Sequence, residues 1–267
     1  MNDDELLALR GLALRTAQRH LVDSLDLTVQ RGERWAVLGP NGAGKSTLLA
    51  AVAGARRHDA GQILLGGRPV DTLRADELAR RRALLADRWI DPFASPVLDT
   101  VLTARFIFRD EDLGEAAARR WLERFDCGLL AARDVRRLSR GERQRVAIVT
   151  ALAQDTPLVL LDEPTAHQDP RHQALVVREL AALPERGLVV TLHDLNAAAR
   201  LATHVLLLWG DGRTLAGPAV DILQPELLSD LFATPVSRVE VDGEGFFHVH
   251  GEVAVDSRSK LPSCPSS

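Results

Sequence analysis

The chain has no tyrosine, one methionine and two cysteines among its 267 residues. With Cys127 and Cys264 as the two cysteines, we expect no disulfide framework, and this cysteine content fits a reducing compartment best. The longest apolar runs, such as VLLLW at 205–209, are far shorter than the roughly 20 residues that a transmembrane helix needs. We therefore expect any role at a membrane to come through a partner protein.

Basic charge does not exceed acidic charge, with 33 lysines and arginines against 37 aspartates and glutamates. The net charge is −4 with a pI near 6.1, whereas a general nucleic-acid binder is usually basic. The first ten residues, MNDDELLALR, are acidic where a secretory signal is basic and then apolar, so we expect no such signal. The remaining composition, 46% hydrophobic and 26% charged, is typical of a globular protein.

Short apolar runs alternate with helix-like segments, which predicts an α/β fold with a mostly parallel, buried sheet. The predicted strands are ERWAVLG (33–39), PLVLLD (157–162), GLVVTLH (187–193) and THVLLLW (203–209). From about Arg88 to Asp155 the pattern is helical, with EAAARRWLERF the clearest helix. We predict a core of 1–87 and 156–250, an inserted helical subdomain of 88–155, and a disordered tail of 251–267.

The stretch GPNGAGKST fits the phosphate-loop pattern G-x-x-x-x-G-K-[ST], between an apolar strand and a helix-compatible segment. Its glycines allow successive N–H groups to face phosphate oxygens, and a helix starting near Lys45 adds the positive end of its dipole. The predicted phosphate-binding residues are Gly39, Pro40, Asn41, Gly42, Ala43, Gly44, Lys45, Ser46 and Thr47.

Within this loop, Lys45 supplies a positive charge to the β- and γ-phosphates, and the Ser46 hydroxyl is a candidate Mg²⁺ ligand. Lys45 is one of two lysines among 33 lysines and arginines, so an arbitrary choice of residue is improbable.

Acidic and histidine side chains follow two other predicted strands. Asp162 and Glu163 end PLVLLDEP, at the edge where α/β folds bind ligands. We predict that Asp162 holds Mg²⁺ and that Glu163 polarises the attacking water in γ-phosphate hydrolysis. His193, at the end of GLVVTLH, is placed to hydrogen-bond the γ-phosphate.

A capping box predicts a helix from about Arg140, because Ser139 is followed three residues later by Glu142 and then by an amphipathic run. An N-terminus carrying Ser and Gly also suits an anion. Taken alone, this stretch is more typical of an ordinary capped helix.

Together, GPNGAGKST, LSRGERQRV, LLDEP and His193 resemble the nucleotide-binding subunit of ABC transporters, over nearly the whole chain to about residue 250. The resemblance implies a RecA-like P-loop NTPase core, an antiparallel β element near the N-terminus, and ATP and Mg²⁺ as cofactors. It also implies a head-to-tail homodimer in which each ATP contacts the signature residues of the other subunit. Those residues are Ser139, Arg140, Gly141 and Glu142, and Asp169 in TAHQD would lie at the dimer interface.

Several stretches, including RRALLADRWIDPFASPVLDTVL, resemble the bacterial importer group that handles cobalamin, haem and ferric siderophores. This implies a peripheral subunit on the cytoplasmic face of the membrane, bound to separate permease subunits and, indirectly, to a substrate-binding protein. Residues 90–107 would form the face that contacts the coupling helix of the permease. Phe93, Val97 and Leu98 are candidate contacts there, and a role in the subdomain core is equally compatible with them.

The chain departs from the family pattern at several positions. Asp87 aligns where the family has Gln, so it is either a Mg²⁺ ligand that slows hydrolysis or a side chain paired with an arginine. Members of this family normally have an aromatic residue early in the chain that stacks on adenine, and the matching region here offers only Thr16 or His20. Arg140 replaces the commoner Gly, and either adds a cation near the γ-phosphate or faces solvent. Gln168 stands where Leu is usual.

Two alternative functions stay open: a non-transport ABC ATPase, and a regulatory nucleotide-binding subunit with weak turnover. His248 and His250 in FFHVH share a strand face, and without a third ligand they are more typical of a polar surface than of a metal site.

Overall fold

The computed structural model describes residues 4–17, 19–86, 94–106, 108, 111–183, 185–241 and 243–250. Asp87, Phe93 and the tail 251–267 lie outside these ranges. The strands, in chain order, are β1 (Glu5–Arg15), β2 (His20–Gln30), β3 (Arg34–Leu38), β4 (Ala60–Leu65), β5 (Arg68–Pro69), β6 (Arg82–Leu85), β7 (Leu158–Leu161), β8 (Gly187–Thr191), β9 (His204–Leu208), β10 (Thr214–Pro218), β11 (Val236–Val241) and β12 (Glu244–Val249). The helices are α1 (Lys45–Val52), α2 (Ala75–Arg81), α3 (Val97–Leu102), α4 (Glu111–Arg124), α5 (Arg140–Ala153), α6 (Pro170–Ala181), α7 (Leu195–Leu201), α8 (Ala219–Ile222) and α9 (Pro225–Phe232).

The central sheet has six strands in the order β10-β9-β3-β8-β7-β6. Neighbouring strands are parallel except for β10, which is antiparallel to β9. Every residue of β7 and β8 is buried, as expected of strands covered on both faces. The four strands predicted from apolar runs are β3, β7, β8 and β9, so the predicted mostly parallel sheet is confirmed.

The central sheet separates two apolar cores. Along β3, Ala36 and Leu38 pack with α3 to α7 on one side, while Trp35 and Val37 pack with α1 on the other. Alternate residues of a strand point to opposite faces, so one short strand contributes to both cores.

A second, antiparallel sheet of order β2-β1-β4-β5 covers the α1 side. Its inward residues, such as Leu12 and Leu14, are fully buried against Leu48 and Leu49 of α1. The predicted antiparallel element near the N-terminus is therefore confirmed.

Helices α3, α4 and α5 lie between β6 and β7, two strands that pair directly with each other. Their apolar faces share a core that includes Val101, Leu122, Phe125 and Ile148, which is continuous with one face of the central sheet. Val97 is buried in this core, and Leu98 packs against it. The domain limits at 87/88 and 155/156 stay a prediction.

The last described segment is the β11–β12 hairpin, which Asn196 of α7 joins through two hydrogen bonds. Asn196 accepts a hydrogen bond from the Phe247 backbone N–H at 2.7 Å and donates one to its carbonyl at 3.1 Å. His248 lies in β12 and His250 follows it, with ring centroids 4.7 Å apart. The His250 Nε2 lies 2.8 Å from the Ser237 hydroxyl, which gives this ring a polar partner within the hairpin.

Candidate nucleotide site

The phosphate loop links the end of β3 to the start of α1. Gly42 and Gly44 have φ angles of +78° and +103°, a region that side chains disfavour, so glycine is favoured at both. At Gly39 the restriction is steric, because a Cβ there would lie 2.3 Å from the backbone oxygen of Leu208. The end of β9 thus holds the loop against the carboxyl edge of the sheet.

Lys45, the first residue of α1, is almost completely buried, at 6% exposure. Its Nζ donates to the carbonyls of Gly39 at 2.8 Å and Pro40 at 3.2 Å. Burial lowers the pKa of Lys45, while the negative charges of Glu163 and Asp162 oppose that shift. The ammonium therefore lies inside the loop and within the field of both acids.

Asp162 follows β7 and is 4% exposed. Its Oδ1 accepts a hydrogen bond of 2.6 Å from the hydroxyl of Thr191, the last residue of β8. The same hydroxyl accepts a bond of 2.9 Å from the backbone N–H of Glu163. Asp162 is thus a buried carboxylate that is bonded directly to the neighbouring strand, as buried charges require.

Glu163 lies next to His193, and the Oε1 of Glu163 contacts the histidine Nε2. Both side chains are partly exposed, at 29% and 44%, so the pair opens to solvent. The backbone of Glu163 has a φ of +48°, and its carbonyl accepts a bond of 3.1 Å from Gln144 Nε2 in α5. The two predicted catalytic residues are therefore adjacent in the structure.

The donor set at this edge suits Mg²⁺. Asp162 and Ser46 offer a carboxylate and an exposed hydroxyl, which are hard oxygen ligands. No group of three or more His, Cys, Asp or Glu residues able to hold a metal occurs within the described ranges. That is compatible with Mg²⁺, which typically uses one or two carboxylates together with substrate phosphates and water.

The predicted capping box is present at the start of α5. The Ser139 N–H donates to Glu142 Oε2 at 2.8 Å, and the Glu142 N–H donates to Ser139 Oγ at 3.3 Å. Ser139 and Arg140 are exposed, whereas Gly141 lies over the loop after Glu163. A Cβ on Gly141 would lie 3.0 Å from the His167 carbonyl oxygen, so this close approach favours glycine.

Asp169 forms the N-cap of α6. Its Oδ1 accepts the His172 N–H at 2.9 Å, and its Oδ2 lies 2.8 Å from His172 Nδ1. These bonds hold the pKa of Asp169 below its usual range, with the backbone N–H of His172 the larger cause. The preceding Gln168 donates to the Pro164 carbonyl at 2.9 Å, which folds the loop back on itself.

The start of β2 lies beside the phosphate loop. A Cβ on Gly44 would be 3.1 Å from Leu21, so these two residues are in close contact. His20 is exposed, and its Nδ1 lies 2.9 Å from Asp23 Oδ1. Thr16 accepts the N–H of Arg19 at 3.2 Å within the turn. Of the two candidates for the adenine position, Thr16 thus lies in the turn between β1 and β2, and His20 begins β2, the strand that contacts the phosphate loop.

Comparison with known families decides the assignment. Residues 22–166 match the family described as ABC transporter. The chain belongs to the ABC transporter family. The predicted family and P-loop NTPase fold are confirmed, and membership supports the predicted ATP binding and ATP hydrolysis.

Individual ABC relatives agree over most of the chain. The Hemin import ATP-binding protein HmuV of Streptomyces coelicolor is 41% identical over 238 residues, covering 86% of this chain and 84% of the relative. The Cobalamin import ATP-binding protein BtuD of Halobacterium salinarum is 37% identical, covering 86% of this chain and 60% of the relative. A chain of an ABC transporter assigned to the metal-chelate type, in an inward-facing conformation, superposes with a TM-score of 0.77 at 28% identity, covering 92% and 97% of the two chains.

In this ABC subunit, the structure brings together Lys45, Asp162, Glu163 and His193 at one sheet edge. Ser139 to Glu142 form the exposed start of α5 instead. Thr191, which was not predicted as a site residue, links the two acids. A polar residue at the end of the strand adjacent to Asp162 is the signal that identifies it. Asp87 lies outside the described residues.

Proposed function

We propose that this chain is the ATP-hydrolysing subunit of an importer and that it works as a head-to-tail homodimer on separate membrane permease subunits. The main support for this proposal is that four side chains lie close together where the parallel strands β3, β7 and β8 end: Lys45, Asp162, Glu163 and His193. A cation, two carboxylates and an imidazole at the carboxyl edge of a parallel sheet are the groups that phosphoryl transfer to water needs.

The individual roles follow from exposure and position. The N–H groups of residues 39–47 and the Lys45 ammonium bind the phosphates, while Ser46 and Asp162 hold Mg²⁺, which supplies charge neutralisation at the phosphates when bound. Glu163 accepts a proton from water or orients it, because its carboxylate is partly exposed and next to His193. His193 holds the Glu163 side chain through Nε2 in this structure, and we propose that its N–H hydrogen-bonds the γ-phosphate when ATP is bound.

The exposed start of α5 supports a site completed by a second copy. Ser139 and Arg140 have their side chains in solvent, and the α5 N-terminus carries the positive end of a helix dipole. We infer that Ser139, Arg140, Gly141 and Glu142 contact the phosphates of an ATP bound to the partner subunit, with Asp169 at the interface. Arg140 either adds a cation to that contact or stays in solvent.

Import is the direction of transport given in the names of the relatives, with hemin or cobalamin as cargo. We propose import of a metal chelate, with hemin favoured by the higher identity to the hemin relative. The chain would then lie peripherally on the cytoplasmic face of the membrane. A substrate-binding protein would be only an indirect partner. No helix within the described ranges is long and apolar enough to span a membrane.

ATP hydrolysis tests the enzymatic part of the proposal. The purified permease complex should hydrolyse ATP, and Glu163→Gln should retain ATP binding while losing about 100-fold or more of the rate. Size-exclusion chromatography should show an ATP-dependent dimer of that variant. Glu185→Gln is the matched control, because Glu185 is also a glutamate at positive φ but precedes β8 rather than following β7. Absence of hydrolysis in the wild-type complex would refute the proposal.

Transport in proteoliposomes tests the cargo. ATP-dependent uptake of hemin, with no uptake of cobalamin, is the expected result. Uptake of cobalamin alone would transfer the assignment to that cargo, and outward movement would contradict import.

A regulatory subunit with weak turnover is the competing function, and its motivation is Asp87 in place of Gln. We predict that Asp87→Gln raises the ATPase rate of the permease complex, measured over a range of Mg²⁺ concentrations. An unchanged or lower rate would count against this prediction.

A further inference from the structure

Thr191 holds the two acids of the site together through one hydroxyl group. The side chain is fully buried at the end of β8. Its hydroxyl donates to Asp162 Oδ1 at 2.6 Å and accepts from the Glu163 N–H at 2.9 Å. A hydroxyl has a single hydrogen to donate, so the bond to Asp162 fixes its rotation and turns a lone pair toward Glu163.

This contact follows from the strand register. Leu161 of β7 pairs with Val190 of β8, so the next residues, Asp162 and Thr191, also lie side by side. In parallel strands that end together, the first residues after the hydrogen-bonded ladder face the ligand edge of the sheet. The hydroxyl is therefore built into the sheet and does not depend on a loop.

The Glu163 peptide is restrained on both sides. Thr191 binds its N–H, and Gln144 of α5 donates to its carbonyl at 3.1 Å. The φ of +48° is costly for a residue with a side chain and persists only where the surroundings enforce it. The Ala166 N–H also donates to the Glu163 carbonyl, at 3.1 Å, so three bonds restrain the backbone that places the Glu163 side chain next to His193.

We propose that Thr191 is a positioning residue for ATP hydrolysis. Its hydroxyl fixes the Asp162 carboxylate in the orientation that binds the cation, and fixes the Glu163 backbone in the conformation that presents its side chain to water. This inference rests on the proposed ATPase function. Groups that orient a metal ligand by hydrogen bonding typically change metal affinity or activity by about 10- to 100-fold when removed.

The test compares Thr191→Val with Thr191→Ser. Valine retains the branched shape in a buried strand but has no hydroxyl, and serine retains the hydroxyl. Two quantities are measured: the affinity for a fluorescent ATP analogue with Mg²⁺ and with EDTA, and the ATPase rate of the permease complex against Mg²⁺ concentration.

For Thr191→Val we expect Mg²⁺-dependent nucleotide affinity to fall by about 10-fold or more and the maximal rate by about 10- to 100-fold, with the affinity in EDTA unchanged. Thr191→Ser should remain within about threefold of the wild type. Thr150→Val is the matched control, because Thr150 is also a buried threonine, bonded to the Val146 carbonyl at 2.9 Å within α5. That control should leave the Mg²⁺ dependence unchanged.

Equal affinities and rates for wild type and Thr191→Val would overturn the inference, as would an equal loss with Mg²⁺ and with EDTA. Should the valine variant not fold, as judged by thermal unfolding, Thr191→Cys replaces it, because a thiol is a weak donor of similar size. A wild-type complex that does not hydrolyse ATP would refute the proposed function itself, whereas an active wild type with an unaffected variant would refute only the role of Thr191.

Discussion

The left-handed backbone of Glu163 predicts that this residue, which we propose to be catalytic, stores conformational strain. A non-glycine residue at positive φ costs about 1–2 kcal/mol, and the φ here is +48°. Replacing Glu163 by alanine removes the carboxylate but keeps this cost, whereas replacing it by glycine removes both. The difference between the two variants therefore isolates the backbone.

Glycine also has a larger entropy in the unfolded chain, which offsets about 0.5–1 kcal/mol of that gain. We expect Glu163→Gly to be more stable than Glu163→Ala by about 0.5–1 kcal/mol, with both variants inactive. In a protein of this size, that is a rise in Tm of roughly 1–4 °C. Loss of the contact with His193 affects both variants equally and cancels.

Thermal and urea unfolding of the isolated chain measure this difference. Glu185→Gly against Glu185→Ala should show the same sign without loss of activity, because Glu185 has a φ of +61°. Ala116→Gly, at an exposed position in α4, should show the opposite sign, by about 1 kcal/mol. Glu163→Gly less stable than Glu163→Ala, while both controls behave as stated, would refute the strain argument.

Three further outcomes are expected. Asn196→Ala removes both hydrogen bonds to the Phe247 backbone and should lower the local stability of the β11–β12 hairpin by about 1–3 kcal/mol. Hydrogen exchange in the hairpin should therefore become faster. Unchanged exchange there would show that packing alone holds the hairpin. Gly39→Ala should weaken ATP binding by about 10-fold or more in a nucleotide titration, because the alanine Cβ would lie 2.3 Å from a carbonyl oxygen of β9. A normal affinity would mean that the loop moves freely. The pKa of Asp169 is depressed by the His172 N–H, so its contribution to stability is present above the pKa of the unfolded chain and is lost as pH falls through the folded value. Asp169→Asn should therefore flatten the acid side of a plot of Tm against pH, and an identical acid slope would contradict this.

The sequence predicted the parts of the site whose residues are contiguous. The phosphate loop, LLDEP and the capping box each span fewer than about ten residues, so local spacing carries their chemistry. Their buried strands were also predictable, because strands covered on both faces consist of uninterrupted apolar runs.

Features that depend on long-range pairing were not predicted in detail. The role of Thr191 requires that β7 and β8 be adjacent and in register, which neither strand shows alone. The long strands β1 and β2 pair with several register shifts, which interrupt the simple alternation of apolar and polar residues. The contact of Gly141 with the His167 carbonyl likewise joins segments that are separate in the sequence.

That contact has a consequence for cooperativity. Because Gly141 lies against the His167 carbonyl and Gln144 bonds to Glu163, the start of α5 and the loop after β7 are in direct contact within a chain. In the proposed head-to-tail dimer, the start of α5 would contact the ATP of the partner, and the loop after β7 would present Glu163, the proposed water-activating residue, to the ATP of its own site. Occupancy of one ATP site is then transmitted to hydrolysis at the other, so the dependence of the ATPase rate on ATP concentration should be sigmoidal, with a Hill coefficient between about 1 and 2.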